Sequence, residues 1–81
     1  MSAPRLILYT RSGCHLCEEG RMIVERVRRI GAGFELQLVD VDLDPELAAR
    51  YGSEVPVLLL DGRKIAKLRF DERRLRRSLG E

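Results

Sequence analysis

Two cysteines three residues apart, Cys14-His15-Leu16-Cys17, stand between an apolar hexapeptide and the start of an amphipathic pattern. This placement restricts what the chain can become more than any other feature in it. Arg5-Leu6-Ile7-Leu8-Tyr9-Thr10 is short and apolar through its middle, so it reads as a strand buried on both faces. Arg11-Ser12-Gly13 supplies a turn. Beyond it, Leu16, Gly20, Ile23, Val24, Val27 and Ile30 recur at helical spacing, with Glu and Arg on the other faces. Cys14 then falls near the N-cap of a helix and Cys17 one turn in, a spacing that brings Cα atoms within the ~4.4–6.8 Å a disulfide requires. At the N-cap Cys14 meets unpaired N–H groups and the positive end of the helix, which favour the thiolate and lower its pKa below the free value of ~8.5. The chain has no other cysteine. A bridge across so small a loop staples nothing distant, unlike the disulfides of small secreted domains, so its use is chemical. The thiolate is the nucleophile of disulfide exchange, and Cys17 is placed to attack a mixed disulfide formed at Cys14.

The remaining elements follow from local signals. Gly31-Ala32-Gly33 stops the helix. Phe34 to Val39 alternates and Val41 continues the apolar pattern, which predicts a second strand reaching Val41. Asp44-Pro45 is an N-cap followed by proline at the first helical position, and Leu47, Ala48 and Tyr51 form the apolar side of a short helix ending near Gly52. Val57 to Leu60 is a third buried strand, and Asp61-Gly62 is a strong hairpin signal. It leads into a more polar edge strand over 63–68. Asp71 caps a last helix carrying Leu75 and Leu79. The expected order is βαβαββα: an α/β chain, one domain over 1–81, with a four-stranded mixed sheet and three helices. Its first half is a right-handed parallel crossover.

Several functions are excluded or set aside on the same residues. The N-terminus, Met1-Ser2-Ala3-Pro4-Arg5, leads only into the short apolar run Leu6 to Tyr9. A signal peptide needs a longer run and a membrane span needs ~20 apolar residues, so the cytoplasm is the expected compartment. Two cysteines are half of a zinc knuckle, and His15, the only histidine, does not supply the other half. The competing metal reading is therefore a metal or iron–sulfur carrier with Cys14 as a ligand, shared across a dimer. Residues 61–81 hold eight Lys/Arg against four Asp/Glu, with Arg73, Arg74, Arg76 and Arg77 clustered on the last helix. Without interleaved aromatics this reads as a solvated face and no nucleic-acid partner is expected. A non-catalytic adaptor binding partners through that helix is the remaining alternative. His15, if protonated, is placed to stabilise the Cys14 thiolate, and equally reads as an exposed first-turn residue. Arg11 sits at the mouth of the loop and stays charged.

The run Tyr9 to Glu18, together with Val55-Pro56 and Asp61-Gly62-Arg63-Lys64-Ile65, resembles the glutaredoxins and their glutaredoxin-like relatives. The resemblance extends over nearly the whole chain and includes the element order. It implies a thioredoxin-like fold and a thiol–disulfide oxidoreductase with Cys14 as nucleophile and Cys17 as resolving thiol. By the same resemblance Arg11 assists the thiolate and contacts glutathione, and Asp71 offers a helix-cap contact. Val55-Pro56 is the cis-proline dipeptide beside the cysteines, whose backbone pairs with substrate like an added strand. The implied partners are a disulfide-containing protein or a glutathione mixed disulfide, with a reductase or glutathione as electron donor. No cofactor is required, and a monomer is expected. The chain departs from the family pattern where His15-Leu16 replaces Pro-Tyr, where Ala66-Lys67 replaces two glycines, and where Glu54 replaces Thr. The added Cβ and the added negative charge imply weaker glutathione binding.

Overall fold

The computed structural model describes residues 3–80; Met1, Ser2 and Glu81 lie outside the described residues. Strand β1 (Arg5–Thr10) is followed by helix α1 (His15–Arg29), strand β2 (Glu35–Asp40), a 3-10 turn (Val41–Leu43) and helix α2 (Pro45–Tyr51). Strands β3 (Val57–Leu60) and β4 (Arg63–Lys67) and helix α3 (Glu72–Ser78) complete the chain. The sheet order is β2-β1-β3-β4, with β1 parallel to β2 and antiparallel to β3, and β3 antiparallel to β4. This is the expected mixed four-stranded sheet with three helices.

Period-2 alternation along the two central strands sorts the core into two layers. Leu6, Leu8, Leu58 and Leu60 point to one face, where they meet Val24 and Val27 of α1 and Leu75 of α3. Ile7, Tyr9, Val57 and Leu59 point to the other, against Val41 and Tyr51. Leu6, Leu8 and Leu58 are fully buried, and each such side chain contributes ~1.5–3 kcal/mol of apolar burial. The Tyr9 and Tyr51 rings stack with centroids 4.5 Å apart, which holds α2 to the second face. The hairpin turn has positive φ at both Asp61 (48°) and Gly62 (86°), as an Asp-Gly type I′ turn requires. Asp61 also accepts the N–H of Arg5 at 3.0 Å, tying the turn to the start of β1.

Three local expectations are corrected. Strand β2 ends at Asp40, whose carboxylate accepts the Asp42 N–H at 2.9 Å and turns the chain into the 3-10 segment. Val41 is fully buried all the same, and burial without extended backbone is why its apolar character reads as strand. Ile30 lies past the last helical turn, at the C-cap, and is 51% exposed. Strand β4 ends at Lys67, because Leu68 has φ +63°.

A shift in pairing between Leu58 and Leu59 makes Ile65 the extra residue of a β-bulge. Adjacent residues of a regular strand face opposite sides of the sheet. Here Ile65 and Ala66 both pack against the α1/α3 layer.

Leu68 adopts the left-handed conformation although its side chain is 40% exposed. That conformation costs a non-glycine residue ~1–2 kcal/mol, more than the ~0.5–1 kcal/mol of backbone entropy a glycine loses. Leu68→Gly is therefore expected to raise the midpoint of urea unfolding slightly. A lowered midpoint would show that the leucine side chain contributes more than the backbone strain it imposes.

Candidate active site

Strand β1 delivers the chain to one end of the sheet at Thr10, and Gly13, with φ +72°, makes the turn that starts α1. Cys14 is the N-cap in extended conformation (φ −96°, ψ 110°), and its Sγ accepts the Cys17 N–H at 3.1 Å. Its carbonyl accepts the Glu18 N–H at 3.2 Å. The two Cα atoms are 5.2 Å apart and the two sulfurs are in disulfide contact. Exposure separates the pair: Cys14 is half-buried and Cys17 is 4% exposed. A cavity of about 150 Å³ opens beside the bridge, lined by Ser12, Cys14, Cys17, Glu18 and Arg21 among others.

The Val55–Pro56 peptide bond is cis. Val55 and Cys17 belong to one buried cluster against which Cys14 packs, so the dipeptide and the thiols share a wall. The Leu68 N–H fastens this segment from the other side, donating to the carbonyls of Pro56 (2.8 Å) and Glu54 (3.2 Å). Gly20, one turn beyond Cys17, makes the close approach possible. A Cβ there would lie 3.1 Å from Pro56 Cγ and 3.0 Å from the Phe70 ring.

The other residues singled out in the sequence occupy more varied positions. Arg11 lines the cavity at Cys14, but its guanidinium is committed elsewhere. Nε and Nη2 donate to the Asp42 carboxylate at 3.0 Å or slightly more, and Nη1 donates to the Gly52 carbonyl at 3.0 Å. The hydrogen bond to Asp42, then its charge, raises the guanidinium pKa further above its already high value. Arg11 thus ties the 3-10 turn and the end of α2 to the end of β1. Sequence reasoning missed Asp42 and Gly52, and no local signal announces partners 31 and 41 positions away. His15 is largely exposed and lies 3.4 Å from Glu19 one turn on. Asp71 caps α3 by accepting the Arg74 N–H at 3.1 Å, and it lines a different cavity from the one at Cys14.

Glu54 is not the lone negative charge its sequence position suggests. Lys64 Nζ lies 2.8 Å and Lys67 Nζ 3.3 Å from its two oxygens. The hydrogen bond from Lys64, then that from Lys67, holds its carboxyl below the usual range. The charge cluster beside Val55-Pro56 therefore has one more cation than anions.

Gly52 packs where no side chain fits. A Cβ there would collide with the Ala48 carbonyl oxygen and lie 2.7 Å from Arg11 Nη2. Gly52→Ala is expected to destabilise the protein by ~1–3 kcal/mol, the usual cost of overpacking. The Arg11 side-chain NMR signals should also shift. An unfolding midpoint equal to that of the unmodified chain would refute the clash.

Among the described residues no three His, Cys, Asp or Glu side chains converge. No helix among the described residues is long and apolar enough to cross a membrane.

A mixed four-stranded sheet with three helices and a Cys-x-x-Cys pair at the start of the first helix defines the thioredoxin-fold class. A thioredoxin from Fasciola hepatica superposes with a TM-score of 0.62 at 23% identity, covering 95% of this chain and 78% of its own. The chain belongs to the Glutaredoxin-like domain (DUF836) family, which it matches over residues 5–80. Among its relatives, an uncharacterized protein of Mycobacterium tuberculosis is 37% identical over 94% of this chain and 82% of that protein. The X-ray structure of protein XcR50 from X. campestris is 39% identical with a TM-score of 0.77, covering 91% of this chain and 93% of that one.

Proposed function

We propose that this protein is a cytoplasmic thiol–disulfide oxidoreductase that reduces protein disulfides or mixed disulfides. The observation that carries the reading is the asymmetry of the bonded pair. The half-buried Cys14 accepts a helix N–H at its Sγ, while its partner Cys17 is buried behind the first turn. In the dithiol form, the Cys14 thiolate attacks one sulfur of the substrate disulfide. A Cys14–substrate disulfide forms and the other substrate sulfur leaves as a thiolate. Cys17, deprotonated, then attacks Cys14 Sγ. The second substrate thiol leaves, the Cys14–Cys17 disulfide forms, and two electrons have passed from the pair to the substrate. A reductase or glutathione returns them. No metal or organic cofactor takes part in these steps. The Val55-Pro56 backbone serves as the docking edge for the substrate segment.

The reduction potential of the Cys14–Cys17 couple tests the reading. A value near −270 mV is thioredoxin-like and one of about −200 to −230 mV is glutaredoxin-like. Absence of any exchanging couple would overturn it. Glutathione is expected to bind more weakly than it does to ordinary glutaredoxins, because by the family resemblance Ala66-Lys67 takes the place of two glycines that admit close backbone approach. In paired assays, a small mixed disulfide should turn over more slowly with glutathione than a protein disulfide does with a thioredoxin-type reductant. Glutathione turnover equal to that of an ordinary dithiol glutaredoxin would overturn this expectation.

A further inference from the structure

A second cavity, about 250 Å³, lies between β4 and α3. Its floor is apolar: Leu58, Ile65, Ala66, Phe70 and Leu75. The bulge creates it by sending both Ile65 and Ala66 toward α3, where a regular strand would send one. Its rim is basic, with Lys67, Arg69 and Arg74, and a neighbouring depression that shares Ile65, Arg74 and Ser78 extends it to Arg77. Arg69, Arg74 and Arg77 have no ion-pair partner among the described residues. The one acid on the rim, Asp71, already accepts the Arg74 backbone N–H. The groove also reaches the docking edge: Phe70, which lines it, lies with Pro56 against Gly20.

We propose that this groove receives an acidic segment of a protein substrate, with an apolar side chain inserted between β4 and α3 and carboxylates over Arg69, Arg74 and Arg77. The proposal deepens the oxidoreductase reading by naming its substrate class, and it rests on that reading for the word substrate. Charge complementarity selects an anionic partner. The one ring in the floor, Phe70, is half-buried against Gly20, so the groove suits a peptide side chain better than a nucleic acid, which would need exposed aromatic rings to stack on.

The test uses the full-length protein and a cysteine-free peptide of aspartates and glutamates around a single leucine. A lysine counterpart and a single-stranded oligonucleotide serve as controls. Binding of the acidic peptide should shift the NMR methyl signals of Ile65, Ala66 and Leu75 and should weaken as salt is raised. The double variant Arg74→Glu, Arg77→Glu should bind it about tenfold more weakly, a fall that two rim charges can supply. The milder Arg74→Gln, Arg77→Gln should show a smaller fall in the same direction. Equal affinity for the acidic and lysine peptides, shifts outside the groove, or tighter binding of the oligonucleotide would each overturn the proposal. Turnover of a small uncharged disulfide, measured on the same samples, reports the oxidoreductase reading separately. It should be the same in the unmodified chain and both variants. Its absence in the unmodified chain would overturn that reading, while the peptide titration would still decide the groove.

Discussion

Replacing Cys14 with Ser is expected to bring disulfide exchange down to background, whereas replacing Cys17 with Ser should leave the first attack intact and accumulate a mixed disulfide on Cys14. The half-buried Cys14 is reachable by a substrate and Cys17 at 4% exposure is not. The Cys17 N–H donated to Cys14 Sγ stabilises charge on that sulfur. Serine is also a favoured N-cap, so Cys14→Ser retains the start of α1 and separates lost chemistry from lost fold. The expected fall is on the order of 10³-fold or more, the scale on which removal of a nucleophile is felt. In the reduced protein, Cys14 should alkylate faster than Cys17 at neutral pH, with a pKa below that of a free thiol. Mass spectrometry of the alkylated peptides and of the trapped Cys17→Ser species reads both outcomes. Equal labelling rates with free-thiol pKa values would refute the assignment of the nucleophile.

Leu8→Ala should bring the protein close to unfolding. Leu8 is fully buried at the centre of the sheet, opposite Leu38 on one side and Leu58 on the other. Truncating such a side chain costs ~2–5 kcal/mol through lost transfer energy and the cavity left behind. At ~0.05–0.15 kcal/mol per residue, a chain of this size has about 4–12 kcal/mol in all. Leu43→Ala is the control: the residue is 84% exposed, and its replacement should change stability by no more than ~0.5 kcal/mol. Urea unfolding of the two variants side by side measures the difference. A Leu8→Ala midpoint matching that of Leu43→Ala would contradict the two-layer core.

The elements that sequence patterning located are those whose causes are local. The buried hexapeptide before Cys14, the Asp44-Pro45 helix start and the Asp61-Gly62 turn each depend on residues within one turn or one pleat of each other, and each stands where expected. The cysteine pair was legible for the same reason, since the separation of three and the N-cap position suffice to bring the sulfurs together. Val41 misled because burial alone does not distinguish a strand from a 3-10 turn, and the Asp40 cap that ends the strand is a side-chain choice the apolar pattern does not report.

The remainder depended on which distant segments meet. Arg11 was readable as a cation near the thiols, but its attachment to Asp42 and Gly52 arises only when α2 packs on the second face of the sheet. Glu54 reads as an unpaired charge until the hairpin returns Lys64 and Lys67 to it. The groove between β4 and α3 exists because one extra residue in β4 turns Ile65 and Ala66 to the same side. Local preferences act over a few residues and are written in the order of the chain. Charge pairing, bulge register and cavities are properties of surfaces brought together from residues ten to forty-one positions apart, and folding alone assembles them.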